Sequence, residues 1–266
     1  VYFSTNDATY WYKINGEGYP LVLLHGFTGS SQTWQPFITK WKQEWQVITI
    51  DLPGHGKTNA KHKSMEACCR DIASLLQYLQ LEPVHLLGYS MGGRTAIAFA
   101  ISYPEWVNGI ILESTSPGLE DSIERQKRKQ VDDELAKKIE QKGLAWFVSY
   151  WENIPLFSTQ QKMPINNQTR IRKERMRQSA VGLADSLRFM GTGTQRSYWN
   201  ELASMNKSAL LITGELDQKY CVIMEKMSRI LPNAVHHMVP DAGHAIHVEK
   251  PNIFGKIVSR HLESLS

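Results

Sequence analysis

Cysteine is scarce: Cys68, Cys69 and Cys221 are the only three in a chain of 266 residues. An odd count with two neighbours side by side makes a poor disulfide framework, and it lacks the paired spacing of a zinc site. Reduced thiols and a cytoplasmic location are therefore expected. No run approaches the ~18 unbroken apolar residues of a membrane span. Val1 to Lys13 has no basic stretch ahead of an apolar one, so no signal peptide is expected either. A large charge of one sign is also missing. The formal net charge of +4 and a pI near 8.8 are too mild to point to nucleic acid. Such a balance still suits an anionic small molecule if the arginines converge on one pocket. There is no internal repeat and no low-complexity tract. With 42% hydrophobic and 21% charged residues, the chain reads as an ordinary globular one, long enough for one large domain carrying an insertion.

What is present is an alternation of short apolar runs with longer helical patterns, the mark of βαβ units and a mostly parallel sheet. Thr9–Ile14 alternates and reads as an edge strand. Leu21–Leu24, Val47–Ile50, Val84–Leu87, Gly109–Leu112 and Ala209–Ile212 are continuous apolar runs, as expected of strands buried on both faces. Ala234–Val239 reads as the last strand, while Ser64–Leu79 and Met91–Ser102 have helical periodicity. The alternation fails from Pro117 to Thr194, which is rich in Lys, Arg, Glu and Gln and offers no good strand. Glu120–Lys142 and Asn167–Met190 are its long helical patterns. The expected organisation is a core formed by 1–116 and 195–266, with a helical cap inserted at 117–194.

Gly88-Tyr-Ser-Met-Gly92 fits G-x-S-x-G directly between a strand and a helix. That context predicts a nucleophile elbow: a turn tight enough to need flanking glycines, with Ser90 held exposed in a strained conformation. The backbone N–H of Met91 opens the helix and would face a developing oxyanion. Leu24-His-Gly-Phe27, after an earlier strand, supplies a second donor at Phe27. Asp217 follows the strand ending at Ile212, and His244 follows the last strand within Pro-Asp-Ala-Gly-His244. The chain order Ser, Asp, His is that of the α/β-hydrolase fold, with both partners on loops beyond strand C-termini. Ser90, Asp217 and His244 are the expected catalytic residues. Glu215 and Asp241 are expected to be solvated or to orient loops, His247 to pack, and Asp51 to serve a structural turn.

Arg94 lies one helical turn after Ser90. A cation there opposes the helix dipole by about 0.3–1 kcal/mol. Either an acidic neighbour compensates it, or it serves a bound carboxylate through paired hydrogen bonds.

Four segments resemble one family. They are Gly88-Tyr-Ser-Met-Gly-Gly-Arg94, Glu113-Ser-Thr-Ser-Pro-Gly-Leu119, Tyr150-Trp-Glu-Asn-Ile-Pro-Leu-Phe157 and Gly191-Thr-Gly-Thr-Gln195, joined by Gly214-Glu-Leu-Asp217 and Ala242-Gly-His-Ala-Ile-His247. Together they resemble the 2-succinyl-6-hydroxy-2,4-cyclohexadiene-1-carboxylate synthases of menaquinone (vitamin K2) biosynthesis, over nearly the whole chain. The elbow is generic to the fold; the Arg94 extension and the motifs of the insertion are specific. The resemblance implies a lyase in which the triad removes a proton from a succinyl-enolpyruvyl-cyclohexene dicarboxylate and pyruvate leaves. It implies no metal or organic cofactor, and a substrate carrying several carboxylates. Arg94, Arg128 and Arg177 would grip these, and Trp151 would form an apolar wall. Tyr89 would line the pocket as well, with packing against the insertion as its alternative. Arg125, Lys127, Lys129 and Lys137 compete with Arg128 as members of a solvated helix face, and Arg170, Arg172 and Arg175 compete with Arg177. Two other readings fit the same triad: a carboxylesterase or thioesterase acting by acyl transfer, and a non-catalytic small-molecule receptor on the same fold.

Overall fold

The computed structural model describes residues 1–265. The strands are β1 (Tyr2–Ser4), β2 (Ala8–Asn15), β3 (Tyr19–Leu24), β4 (Trp45–Ile50), β5 (Asn59–Ala60), β6 (Val84–Tyr89), β7 (Val107–Glu113), β8 (Ser208–Gly214) and β9 (Ala234–Val239). The helices are α1 (Gln35–Trp41), α2 (Met65–Leu79), α3 (Met91–Ser102), α4 (Ser122–Trp151), α5 (Ile165–Arg175), α6 (Ala180–Met190), α7 (Gln218–Ile230), α8 (Ile246–Glu249) and α9 (Pro251–Glu263). They form one sheet in the order β1-β2-β4-β3-β6-β7-β8-β9, with β5 paired to β2. From β4 to β9 all neighbours run parallel, and β2 alone joins them antiparallel.

The apolar runs are strands because both faces of the sheet are covered. Val22 and Leu24 enter one core cluster with Ile48, Ile50 and Leu86. Leu21 and Leu23 enter the opposite cluster with Val47 and Leu87. A period of two thus places neighbouring residues in two cores, which requires every position to be apolar. Helix α3 crosses behind the sheet with Met91 through Ala100 all buried, which is why its sequence lacks a polar stripe.

Two expectations need correction. Thr9–Ile14 is not at the edge, because Tyr2–Ser4 and Asn59–Ala60 both pair with β2. These partners are three and two residues long, too short to carry a periodic signal. The pattern over Asn167–Met190 is two helices rather than one, since Ser179 caps α6 by accepting from the Gly182 N–H at 3.1 Å. Between β7 and β8 the chain adds α4, α5 and α6 and no strand. Helix α4 breaks at Gly143, whose φ of 80° and ψ of 173° leave the helical region. These helices bury a smaller cluster of their own, including Ala136, Ile139, Phe147, Leu183 and Leu187, and Phe27 of the core packs against it.

Candidate active site

Ser90 sits between β6 and α3 at φ 50° and ψ −104°. A non-glycine residue held there stores about 1–3 kcal/mol of backbone strain. Its N–H donates to the Glu113 carbonyl at 2.8 Å. The turn requires Gly92: a Cβ at that position would lie 2.0 Å from the Leu24 carbonyl oxygen, so α3 crosses β3 at backbone contact. His244 Nε2 is 3.1 Å from Ser90 Oγ, and His244 Nδ1 is 2.6 Å from Asp217 Oδ2. Asp217 caps α7 as well, and both Asp217 and His244 are buried. A row of this kind can pass a proton from the serine hydroxyl to the imidazole, with the carboxylate holding the imidazolium.

Ser90 opens into a cavity of about 230 Å³ that Phe27, Met91, Arg94, Arg128 and Trp151 also line. Six of the ten expected residues therefore meet around one space, with Asp217 and His244 behind the serine. Tyr89 does not line this space. It lies in a smaller adjoining cavity and packs edge-on to His247 at 4.6 Å, because on β6 it points to the opposite face from its neighbours. Arg177 is also elsewhere. It is exposed and lines surface depressions with Gln32 and Glu174. It lies in the turn beyond the end of α5, and the buried arginine of this region is Arg175, the last residue of that helix. Its Nη2 donates to Gln160 Oε1 at 3.0 Å, and its guanidinium lies 4.8 Å from the centre of the Phe157 ring. Burial pushes its pKa down. Four-residue spacing from Ile171, which lines the same adjoining cavity, was the available signal for Arg175.

Sequence reasoning also missed Lys219 and Tyr220, which line the Ser90 cavity. Both lie on the first turn of α7, and the Tyr220 ring is 4.7 Å from that of His244. Their closeness to Asp217 in sequence could have pointed to them. Glu215 is exposed and accepts from the Asp241 N–H at 3.2 Å, as befits a loop contact. His247 is buried against Glu113 at 2.9 Å. Asp51 accepts from the Ser31 N–H at 2.6 Å and the Lys57 N–H at 2.8 Å.

Arg94 has no acidic neighbour at hydrogen-bond distance among the described residues. Its Nη1 donates to the Met190 carbonyl at 2.8 Å and to Gln195 Oε1 at 2.6 Å. Burial lowers its pKa to about 10, with Arg128 adding to the effect, so it stays charged near neutral pH. Arg128 donates through Nε to Asp132 Oδ1 at 2.8 Å. Among the described residues no group of three or more His, Cys, Asp or Glu is placed to hold a metal ion, and no helix is long and apolar enough to cross a membrane.

The turn bearing Phe27 rests on two neutral histidines. His25 Nε2 accepts from the Leu52 N–H at 2.9 Å, and His55 Nε2 accepts from the Thr28 N–H at 3.1 Å. Protonation would set an N–H against each of these donors. Burial accordingly holds His25 down to about 4 and His55 down to about 3. Both folded values lie below the unfolded value near 6.5, so their contribution is complete above pH 6.5. It falls as the unfolded chain alone takes up protons, down to the folded values. At about 1.4 kcal/mol per pH unit for each group, these two histidines together withdraw about 4 kcal/mol of stability between pH 7 and pH 5. Guanidinium unfolding at the two pH values measures this, and His55→Gln should reduce the loss between them by about 2 kcal/mol. An unchanged loss would refute this account.

Residues 19–251 match the alpha/beta hydrolase fold family. A Bacillus subtilis (strain 168) protein assigned as 2-succinyl-6-hydroxy-2,4-cyclohexadiene-1-carboxylate synthase is 46% identical over 92% of this chain and 90% of its own length. The chain belongs to this synthase family. The 2-succinyl-6-hydroxy-2,4-cyclohexadiene-1-carboxylate synthase of Serratia proteamaculans (strain 568) is 28% identical over 88% of this chain and 89% of its own. The MenH structure from S. aureus superposes with a TM-score of 0.91 at 34% identity, covering 98% of this chain and 99% of that one. A thermophilic esterase from Thermogutta terrifontis, solved with malate bound, has a TM-score of 0.88 at 26% identity, covering 100% and 98%. The synthase family thus shares its frame with hydrolases, and the contents of the Ser90 cavity must separate the two.

Proposed function

We propose that this chain is a carbon–oxygen lyase of menaquinone biosynthesis. It eliminates pyruvate from 2-succinyl-5-enolpyruvyl-6-hydroxy-3-cyclohexene-1-carboxylate to give 2-succinyl-6-hydroxy-2,4-cyclohexadiene-1-carboxylate. The observation that carries this reading is that Arg94 and Arg128 share one cavity with Ser90. An acyl pocket for a neutral ester gains nothing from two guanidinium groups, whereas a substrate with several carboxylates does.

In the reaction Ser90 Oγ takes a proton from the ring as His244 takes the hydroxyl proton, with Asp217 stabilising the imidazolium. The C–H electron pair becomes the second ring double bond, and the C–O bond to the enolpyruvyl group breaks. The departing enolate recovers the proton and is released as pyruvate, so the chain's own groups balance the step. The backbone N–H groups of Phe27 and Met91 hold the carboxyl oxygen on which charge builds. Arg94 and Arg128 hold carboxylates, and Trp151 forms an apolar wall. Arg175, in the adjoining cavity, takes the part expected of Arg177. Residues 1–116 and 195–266 act as the core and 117–194 as the cap that completes the cavity. A cytoplasmic site of action fits three free, buried cysteines.

Incubation with the enolpyruvyl substrate should release one pyruvate per diene formed, read by coupled lactate dehydrogenase and by absorbance of the diene. Cleavage of esters or thioesters without pyruvate release would instead support the acyl-transfer reading.

A further inference from the structure

We infer that Gln195 is a positioning residue that holds Arg94 without neutralising it, and so sets the affinity of the Ser90 cavity for a carboxylate. This rests on the lyase reading and adds a residue to it.

A buried arginine is ordinarily paired with a carboxylate, which fixes its geometry and cancels its charge together. Arg94 is held by two neutral acceptors instead, the Met190 carbonyl at the end of α6 and the Gln195 side chain at 2.6 Å. Gln195 is 2% exposed. The guanidinium offers only donors, so the amide oxygen must face it and Nε2 must point away. That Nε2 is buried without a hydrogen-bond partner, and it lies 3.4 Å from where a Cβ on Gly118 would be. The amide is thus wedged with its oxygen on Arg94, at the cost of an unsatisfied donor of about 1–3 kcal/mol. A packing role alone gives no reason to keep that donor.

The loop that carries Gln195 is itself fixed. Its N–H donates to the Gly191 carbonyl at 3.0 Å. A Cβ on Gly193 would lie 2.1 Å from the Lys129 nitrogen of α4, so the loop meets α4 beside Arg128. The Gly193 N–H also approaches Asp132 Oδ2 at 3.5 Å, and the other oxygen of Asp132 holds Arg128. One loop therefore positions both cavity arginines. Arg128, half-exposed, is held by a carboxylate; Arg94, buried, is held by neutral groups. The full charge of Arg94 is left for the ligand, in a low-dielectric wall where it counts most.

The test replaces the amide by a near-isosteric carboxylate. Gln195→Glu should pair with Arg94 and raise KM for the enolpyruvyl substrate by 10- to 100-fold, with kcat changed less than threefold. Gln195→Met, which removes the acceptor without adding charge, should raise KM by less than Gln195→Glu does. Adding Gln195→Glu to Arg94→Met should raise KM little further, because the affected charge is already gone. Modification of Ser90 by phenylmethylsulfonyl fluoride, a neutral reagent, should proceed at the wild-type rate in Gln195→Glu. An unchanged KM in Gln195→Glu overturns the inference, as does equal loss of kcat and Ser90 labelling, which would mean a distorted elbow. If the wild-type chain releases no pyruvate, the lyase reading fails, and the role of Gln195 is still decided by succinate. Succinate should protect Ser90 from the sulfonyl fluoride in the wild type and not in Gln195→Glu; equal protection overturns it.

Discussion

Replacing Ser90 by alanine is expected to lower kcat for pyruvate release by about 10²–10⁴-fold while KM changes less than about threefold. The hydroxyl is 3.1 Å from His244 Nε2 and is the group that faces substrate, so its loss leaves the imidazole to act through a poorly placed water. Arg94, Arg128 and the Phe27 turn are untouched, which is why binding should persist. Steady-state kinetics with coupled pyruvate detection give both constants. A Ser90→Ala enzyme with wild-type kcat would remove the serine from the chemistry. Mass spectrometry of the wild-type enzyme quenched during turnover adds a second reading. A base leaves Ser90 unmodified, whereas a nucleophile accumulates an added mass on the peptide that carries it.

The sheet and the elbow turn were legible in the sequence for a physical reason. Strands buried on two faces must be apolar at every position, and an elbow crossed by backbone at Gly92 admits no side chain, so both leave strong local traces. Tyr2–Ser4 left none, because three residues are too few for a period. The arginines were legible as a set and not one by one. Arg94 is tied by spacing to Ser90, and the two line one cavity. Arg175 closes α5 and Arg177 lies in the turn beyond it, and where α5 stops at Met176 is set by the folded cap rather than by a local pattern. The neutral clamp on Arg94 was beyond sequence altogether: Gln195 lies 101 residues from Arg94, and only the folded loop brings them together.

Asp217→Asn is expected to reduce kcat by about 10⁴-fold, comparable to or beyond the loss of the serine, although the two residues do not touch. In the native chain Asp217 Oδ2, 2.6 Å from His244 Nδ1, accepts the Nδ1 proton and leaves Nε2 as an acceptor toward Ser90. An asparagine turned to donate its amide to Nδ1 would force the proton onto Nε2. The imidazole would then present a donor to Ser90 and could no longer take its proton. Asparagine also removes the negative charge that offsets the imidazolium formed as the substrate proton leaves. The cap of α7 should survive, since the amide oxygen can still accept from the Tyr220 N–H that Asp217 Oδ1 meets at 3.5 Å. Stability should therefore fall by less than about 1 kcal/mol. Activity lost at nearly unchanged melting temperature is the expected signature. A loss below tenfold would show that Asp217 only braces the loop and that the tautomer of His244 is fixed by something else.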